Sequence, residues 1–249
     1  YGQSISDSTR IIELKSDDLV IENGVLVNYA GDAEEVRVPE GITEIGRGAF
    51  QNNKIIKKVI LPDEVITIGA YAFSGCSSLE SINVPKKVEV IGDKAFYGCG
   101  SLSGSLLLTD HLVSIGASAF YNCTSLTGDL NIPDSVTSIG TSAFFNCKGY
   151  NGTLCLSAKL TQIEESAFNG CKFTGILSLP ESIKTIGYGA FMSNKFSGEV
   201  IIPDKTETIG NRAFASCTEL ERVIFGENVS HIGSYAISGC VKIKTLTFK

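Results

Sequence analysis

The stretch Ile68-Gly69-Ala70-Tyr71-Ala72-Phe73-Ser74-Gly75-Cys76 decides the fold, because close copies of it recur along most of the chain. Its leading isoleucine occurs nine times, at Ile45, Ile68, Ile91, Ile115, Ile139, Ile163, Ile186, Ile209 and Ile232. The spacing is 23 residues, rising to 24 for three steps in the middle. A fixed period of this size is typical of solenoids, in which each repeat packs only against its neighbours. The sequence therefore predicts one continuous solenoid.

The glycine after the isoleucine is replaced in one copy, where Glu164 follows Ile163. A position that required positive φ would not readily accept glutamate. The pattern therefore favours helix capping or close packing as the role of this glycine.

Each repeat has the same internal plan. A strand such as 79–84 is followed in six repeats by a proline, which ends strand pairing because it has no N–H. A short extended bridge comes next. Ile91, Ala95, Phe96 and Cys99 then lie at i, i+4, i+5 and i+8, which is one face of a short helix. The plan predicts an α/β solenoid.

Seven of the eight cysteines occupy one position of the repeat: Cys76, Cys99, Cys123, Cys147, Cys171, Cys217 and Cys240. The two remaining copies carry Asn53 and Asn194 there. This pattern predicts a buried column of free thiols in which asparagine finds a hydrogen-bond partner. Rungs about 4.8 Å apart would also bring neighbouring thiols within possible bridging distance, so the redox compartment stays open.

Three segments follow from these patterns. Residues 1–18 carry no repeat and are predicted to be a tail or linker, and residues 19–33 a capping hairpin that turns at Asn23-Gly24. Residues 34–249 form a single solenoid of nine repeats plus a final strand. That strand, 246–248, has no polar cap, so either the natural protein continues or the strand edge associates with another chain.

Composition and motifs exclude several classes of function. A net charge of −6 with mixed signs argues against nucleic-acid binding, and no apolar run is long enough to span a membrane. His111 and His231 occupy variable positions and are interpreted as surface residues. The chain contains no nucleophile elbow, phosphate-binding loop or CxxC pair, so we expect no catalytic centre, no metal and no cofactor.

Alternation along the strand before the proline assigns its outward side chains. Several are large and apolar, and these, with two neighbours, are the candidate binding residues: Ile60, Leu107, Cys155, Ile176, Ile201, Arg222 and Ile224. Contiguous exposed apolar surface indicates an interaction site. The other interpretation is that β-branched residues here only stabilise the strands.

The repeat at residues 123–144, CTSLTGDLNIPDSVTSIGTSAF, resembles the BspA-type (Treponema-pallidum-like) class of leucine-rich repeat. The resemblance covers about residues 34–249. It implies a curved, right-handed α/β solenoid, with a parallel β-sheet on the concave side and short helices on the convex side. It also implies a bacterial or protist protein, secreted or displayed at the cell surface, with adhesion as its role and no catalytic residues.

Two functions are favoured by these observations. The first is a non-enzymatic surface protein that binds a host or bacterial surface protein, or a matrix component, on its concave sheet. The alternative is a structural spacer within a larger surface protein. A glycan-binding or enzymatic module is a third possibility, but the sequence offers no pocket of carboxylates for it.

Overall fold

The computed structural model describes residues 18–249, so the predicted tail lies outside the described residues except for Asp18. These residues form a parallel β-solenoid of about ten turns. We number the rungs 1–9 by the repeated isoleucine, so that Ile163 lies in rung 6 and Ile186 in rung 7. How the chain divides into tail, cap and solenoid domains, and which side is concave, stay predictions.

The strands are short and follow one another around each rung. They are β1 Leu19–Glu22, β2 Val25–Tyr29, β3 Glu35–Arg37, β4 Glu44–Ile45, β5 Lys58–Ile60, β6 Thr67–Ile68, β7 Ser81–Ile82, β8 Val90–Ile91, β9 Ser114–Ile115, β10 Leu130–Asn131, β11 Ser138–Ile139, β12 Leu154–Cys155, β13 Gln162–Ile163, β14 Thr185–Ile186, β15 Gly198–Ile201, β16 Thr208–Ile209, β17 Leu220–Phe225, β18 His231–Ile232 and β19 Thr245–Phe248. Two sides of the solenoid carry parallel ladders built from them.

One side, the pre-proline side, consists of the sheets β3-β5-β7, β10-β12 and β15-β17-β19. The other consists of β1-β2-β4-β6-β8-β9-β11 and β13-β14-β16-β18. Equivalent residues pair from rung to rung, as Ile45 does with Ile68 and Ile68 with Ile91. Like side chains therefore pile up in columns.

The N-terminal end is an antiparallel hairpin of β1 and β2, with Asn23 and Gly24 both at positive φ in its turn. Strand β2 continues into the solenoid by pairing in parallel with β4. The Tyr29 ring lies 5.2 Å from Phe50 and occupies the place of a preceding phenylalanine. The hairpin thus covers the core of the first rung.

The prediction of short helices on the convex side is wrong, because residues 18–249 contain no helix. The segment after each isoleucine is a chain of turns, in which Tyr71 (φ 61°) and Gly75 (φ 74°) adopt left-handed conformations. Alternate N–H groups serve different partners: Cys76 donates to Phe73 within the rung (3.0 Å), whereas Phe73 donates to Ala95 of the next rung (2.7 Å). A helix would use all these donors internally and leave none to join the rungs.

A column of phenylalanines runs through the core. It comprises Phe50, Phe73, Phe96, Phe120, Phe144, Phe168, Phe191 and Phe214, with ring centroids 4.8–5.7 Å apart and planes within 4–16° of parallel. All eight are at most 1% exposed. Burial of each such ring stabilises the fold by roughly 1.5–3 kcal/mol.

The cysteine column is present, and its seven members are buried and free. Each thiol donates to the carbonyl of the phenylalanine in the preceding rung at 2.9–3.2 Å. Asn194 replaces the thiol by donating to Phe168 (2.8 Å) and Phe191 (2.9 Å) and accepting from Phe173 N (3.0 Å). Burial raises the pKa of Cys76 to about 11, which keeps this thiol protonated.

The glycine after the isoleucine allows neighbouring rungs to pack closely. Close packing was one of the two roles predicted for it. A Cβ on Gly92 would lie 2.6 Å from Ala70 N, and one on Gly116 would lie 2.4 Å from Asp93 N. Neither distance is compatible with ordinary contact, and neither glycine has positive φ. Any side chain here must push two rungs apart.

Glu164 places a side chain in this slot, and the ladder is interrupted there. Gly140 N and Gly187 N donate to the preceding rung at 2.8 Å, but among the described residues Glu164 N has no such bond, and β11 does not pair with β13. The phenylalanine spacing is widest on both sides of rung 6, at 5.6 and 5.7 Å. The substitution at one residue thus divides the longer ladder in two.

Candidate functional site

The outward side chains of the pre-proline strands form one surface, which we call the pre-proline face. Alternation exposes Glu35 and Arg37 while Val36 is buried. Glu35 pairs with Lys58 at 3.0 Å and Glu199 with Arg222 at 3.9 Å, each across one rung boundary. Exposed pairs of this kind contribute about 0–1 kcal/mol each to stability. Their main effect is to hold charged side chains of adjacent rungs next to each other on the face.

All seven candidate binding residues lie on or beside this face. Leu107, Ile176 and Ile201 are 77%, 67% and 44% exposed. Cys155 and Arg222 are also exposed, whereas Ile60 and Ile224 are half-buried between neighbouring rungs. Whether these residues bind a partner stays a prediction.

Four shallow pockets open on the same face. Two lie near its N-terminal end around Ile60 and Asn83, with volumes of about 320 and 270 Å³. The other two flank Ile176, with volumes of about 400 and 210 Å³. The face is therefore indented beside the half-buried Ile60 and beside the exposed Ile176 and Ile201.

Among the candidate binding residues, the two most exposed apolar side chains occur where the pre-proline ladder is interrupted. Leu107 and Ile176 belong to rungs 4 and 7, whose pre-proline segments form no named strand. Neither residue pairs across a rung boundary with a neighbouring strand. Because no paired strand lies directly beside them, their side chains have few neighbours on the face and project into solvent.

One acidic pocket was not found by sequence reasoning. Arg37, Glu40, Asp63, Glu64 and Asn83 line the pocket of about 320 Å³. The pKa of Glu40 is raised because its protonated carboxyl donates a hydrogen bond to Glu64, and because the negative charge of Glu64 disfavours ionisation of Glu40. The signal was available, because Glu40 and Asp63 directly follow prolines at equivalent positions of two successive repeats, and Glu64 follows Asp63.

Other candidate chemistry stays isolated. His111 and His231 are exposed, as predicted. Residues 18–249 contain no cluster of three or more side chains suited to holding a metal ion. Over the same range, no helix has the length and apolar character needed to cross a membrane. Strand β19, with Leu246 and Phe248 44% and 65% exposed, is the edge for which self-association stays a prediction.

The parallel ladders and in-phase columns define a solenoid of leucine-rich-repeat type. The sequence model of the "BspA type Leucine rich repeat region" matches six copies, over residues 21–151 and 152–249. The chain therefore belongs to the BspA-type leucine-rich repeat family, which confirms the resemblance drawn from the repeat.

Solved structures agree with this assignment. A leucine-rich repeat protein from Bacteroides ovatus ATCC 8483 is 28% identical, with a TM-score of 0.67 over 94% of this chain and 68% of that one. The T. pallidum Leucine Rich Repeat protein is 24% identical, with a TM-score of 0.58 over 88% and 82%. A leucine-rich repeat protein from Eubacterium ventriosum ATCC 27560 is 23% identical, with a TM-score of 0.58 over 94% and 68%. The last two likenesses support the fold alone.

No curated protein matches the chain by sequence.

Proposed function

We propose that this is a non-enzymatic protein of the cell surface, or a secreted one, that binds another protein through the pre-proline face. The observation that carries the proposal is the exposure of Leu107, Ile176 and Ile201 on one indented surface of a regular scaffold. Soluble proteins rarely leave large apolar side chains together in water unless a partner covers them.

The partner is a host or bacterial surface protein or a matrix component, and the location is extracellular. Both statements rest on the BspA-type resemblance rather than on a residue of the site. The face itself favours a protein, because its apolar groups are accompanied by charges of both signs, as at Glu199 and Arg222.

A structural spacer is the second candidate. It is favoured by the continuous phenylalanine column, which joins eight rungs into one body. In this case the face would have no ligand, and its isoleucines would serve only the strands.

The experiment compares binding by three proteins to a panel of purified matrix and bacterial surface proteins, measured by surface plasmon resonance. Leu107→Glu combined with Ile201→Glu places two charges on the face. Ile66→Glu is the matched control, because Ile66 is 40% exposed but lies beside β6 on the other side.

We expect at least one partner to bind the wild type and the control equally, and to bind the double variant at least about 10-fold more weakly. If the double variant retains full affinity, the face is not the site. If the panel yields no partner at all, the spacer is favoured.

A further inference from the structure

Ile176 stands between two clefts of the pre-proline face. The larger, of about 400 Å³, separates rungs 6 and 7 and is lined by Leu154, Cys155, Leu156 and Pro180, among others. The smaller, of about 210 Å³, separates rungs 7 and 8 and is lined by Leu177, Leu179 and Ile201, together with two glutamates. The side chain of Ile176 borders both clefts and is 67% exposed.

The backbone explains the clefts. Residues 175–180 of rung 7 form no strand, although β12 and β15 occupy the same position in rungs 6 and 8. Gly175 and Gly198, with φ of 74° and 71°, turn the chain into this position in rungs 7 and 8. Rung 7 therefore has no strand that pairs with β12 on one side or with β15 on the other. The two clefts lie at these unpaired boundaries.

The clefts open at two successive rung boundaries, so the distance between them follows the rung spacing. This distance can be compared with the repeat distances of a helix and of a strand on the partner. In the core of the same rungs, the phenylalanine rings repeat at 5.7 Å from rung 6 to rung 7 and at 5.3 Å from rung 7 to rung 8. An α-helix lying along the solenoid axis repeats one face about every 5.4 Å, whereas same-face residues of a strand repeat about every 6.8 Å. A helix therefore presents one side chain per turn to successive clefts.

Charge sets the composition of that helix. Glu181 and Glu199 line the smaller cleft, and Glu199 lies 3.9 Å from Arg222. Among the described residues Glu181 forms no ion pair. The pKa of Lys249 is raised mainly by its hydrogen bond to Asp204, and the charge of Glu181 contributes to the rise. The larger cleft has no charged lining residue. The complementary partner is apolar towards rung 6 and basic towards rung 8.

We propose that the two clefts beside Ile176 receive aliphatic side chains from successive turns of an amphipathic helix on the partner protein, with a lysine or arginine of that helix facing Glu181 and Glu199. The inference rests on the proposed function and narrows it, since it names the element of the partner and one end of the face. Helix-in-groove recognition of this kind uses anchors at i and i+3 or i+4.

The probe is a synthetic peptide held helical by a side-chain crosslink, with leucines at i and i+4 on one face and lysines beside the second leucine. Fluorescence anisotropy measures its affinity for the full chain. We expect Ile176→Ser to weaken binding about 10-fold, because the ridge that both leucines contact is removed. The control Ile66→Ser, which changes an exposed isoleucine beside β6 on the other side of the solenoid, should leave affinity unchanged.

Glu181→Gln combined with Glu199→Gln tests the charge. We expect this variant to bind several-fold more weakly at low salt and to lose most of the salt dependence of the wild type. A peptide with glutamate in place of lysine should bind the wild type more weakly than the lysine peptide does.

Three results would overturn the inference: no binding at about 1 mM peptide, equal binding of a scrambled peptide, or unchanged affinity in Ile176→Ser. The proposed function is tested separately by the double variant at Leu107 and Ile201. If that variant loses a protein partner while the helical peptide fails, the inference falls and the proposed function stands.

Discussion

Phe144 and Phe145 are neighbours of the same residue type with opposite environments, which makes their alanine variants a matched test of the stacked core. Phe144 is fully buried between Phe120, at 5.1 Å, and Phe168, at 5.6 Å. Phe145 is half-buried, and within residues 18–249 its one aromatic stacking partner is Tyr121, at 4.7 Å. Only the first ring belongs to the column that joins the rungs.

The expected costs follow from burial. Phe144→Ala removes a whole ring from the core and leaves a cavity, which costs about 3–5 kcal/mol. Phe145→Ala loses roughly half of that buried area and one stacking partner, so about 1–2 kcal/mol is expected. For a chain of this size these values correspond to melting temperatures lowered by about 6–20 °C and about 2–8 °C.

Thermal unfolding followed by far-ultraviolet circular dichroism, together with urea midpoints, measures both variants. The urea series matters because repeat arrays can unfold in more than one step. Equal losses in the two variants, or a larger loss for Phe145→Ala, would refute the conclusion that the phenylalanine column holds the rungs together.

Further expectations concern the glycine slot, the acidic pocket and the thiols. Gly92→Ala should cost about 1–3 kcal/mol because its Cβ would meet the preceding rung, whereas Gly100→Ala, with its nearest neighbour at 3.7 Å, should be nearly neutral in the same unfolding assay. Because Glu64 raises the pKa of Glu40, the ionised pair disfavours the folded state above the ordinary carboxyl pKa. Glu40→Gln should therefore raise the melting temperature at neutral pH, and the gain should vanish below about pH 4; a gain that persisted there would contradict the repulsion. Iodoacetamide should label Cys155 rapidly in the folded protein and the buried cysteines only after unfolding, as peptide mass spectrometry can show; early labelling of the column would contradict its burial.

The repeat made most of the fold predictable, because a period that keeps the same residue at each position fixes which side chains share a column. The buried cysteines, their exchange with asparagine and the outward position of Ile176 all follow from alignment of the copies. These inferences needed no knowledge of backbone angles.

The helix prediction failed for a physical reason. Ile91, Ala95, Phe96 and Cys99 have helical spacing, but linked turns bring the same four side chains inward. The left-handed residues that make those turns include Lys94. Positive φ is uncommon for residues other than glycine, so the sequence did not predict it at a lysine.

The site was predictable only in part. Alternation places Leu107 and Ile176 outward, but their high exposure depends on interruptions of the ladder that no single repeat reveals. Glu164 was visible as the one departure from glycine, yet its effect on pairing appears only when the distance to the neighbouring rung is known.

The glycine slot also bears on how such a chain can change its length. Since every unit touches only the units before and after it, a duplicated stretch of coding sequence could be spliced in without any existing contact being redesigned. A copy of the unit with glycine would extend an unbroken ladder. A copy of the unit with Glu164 would add another break in strand pairing. The number of such copies would then set how many separate ladders this side of the solenoid contains.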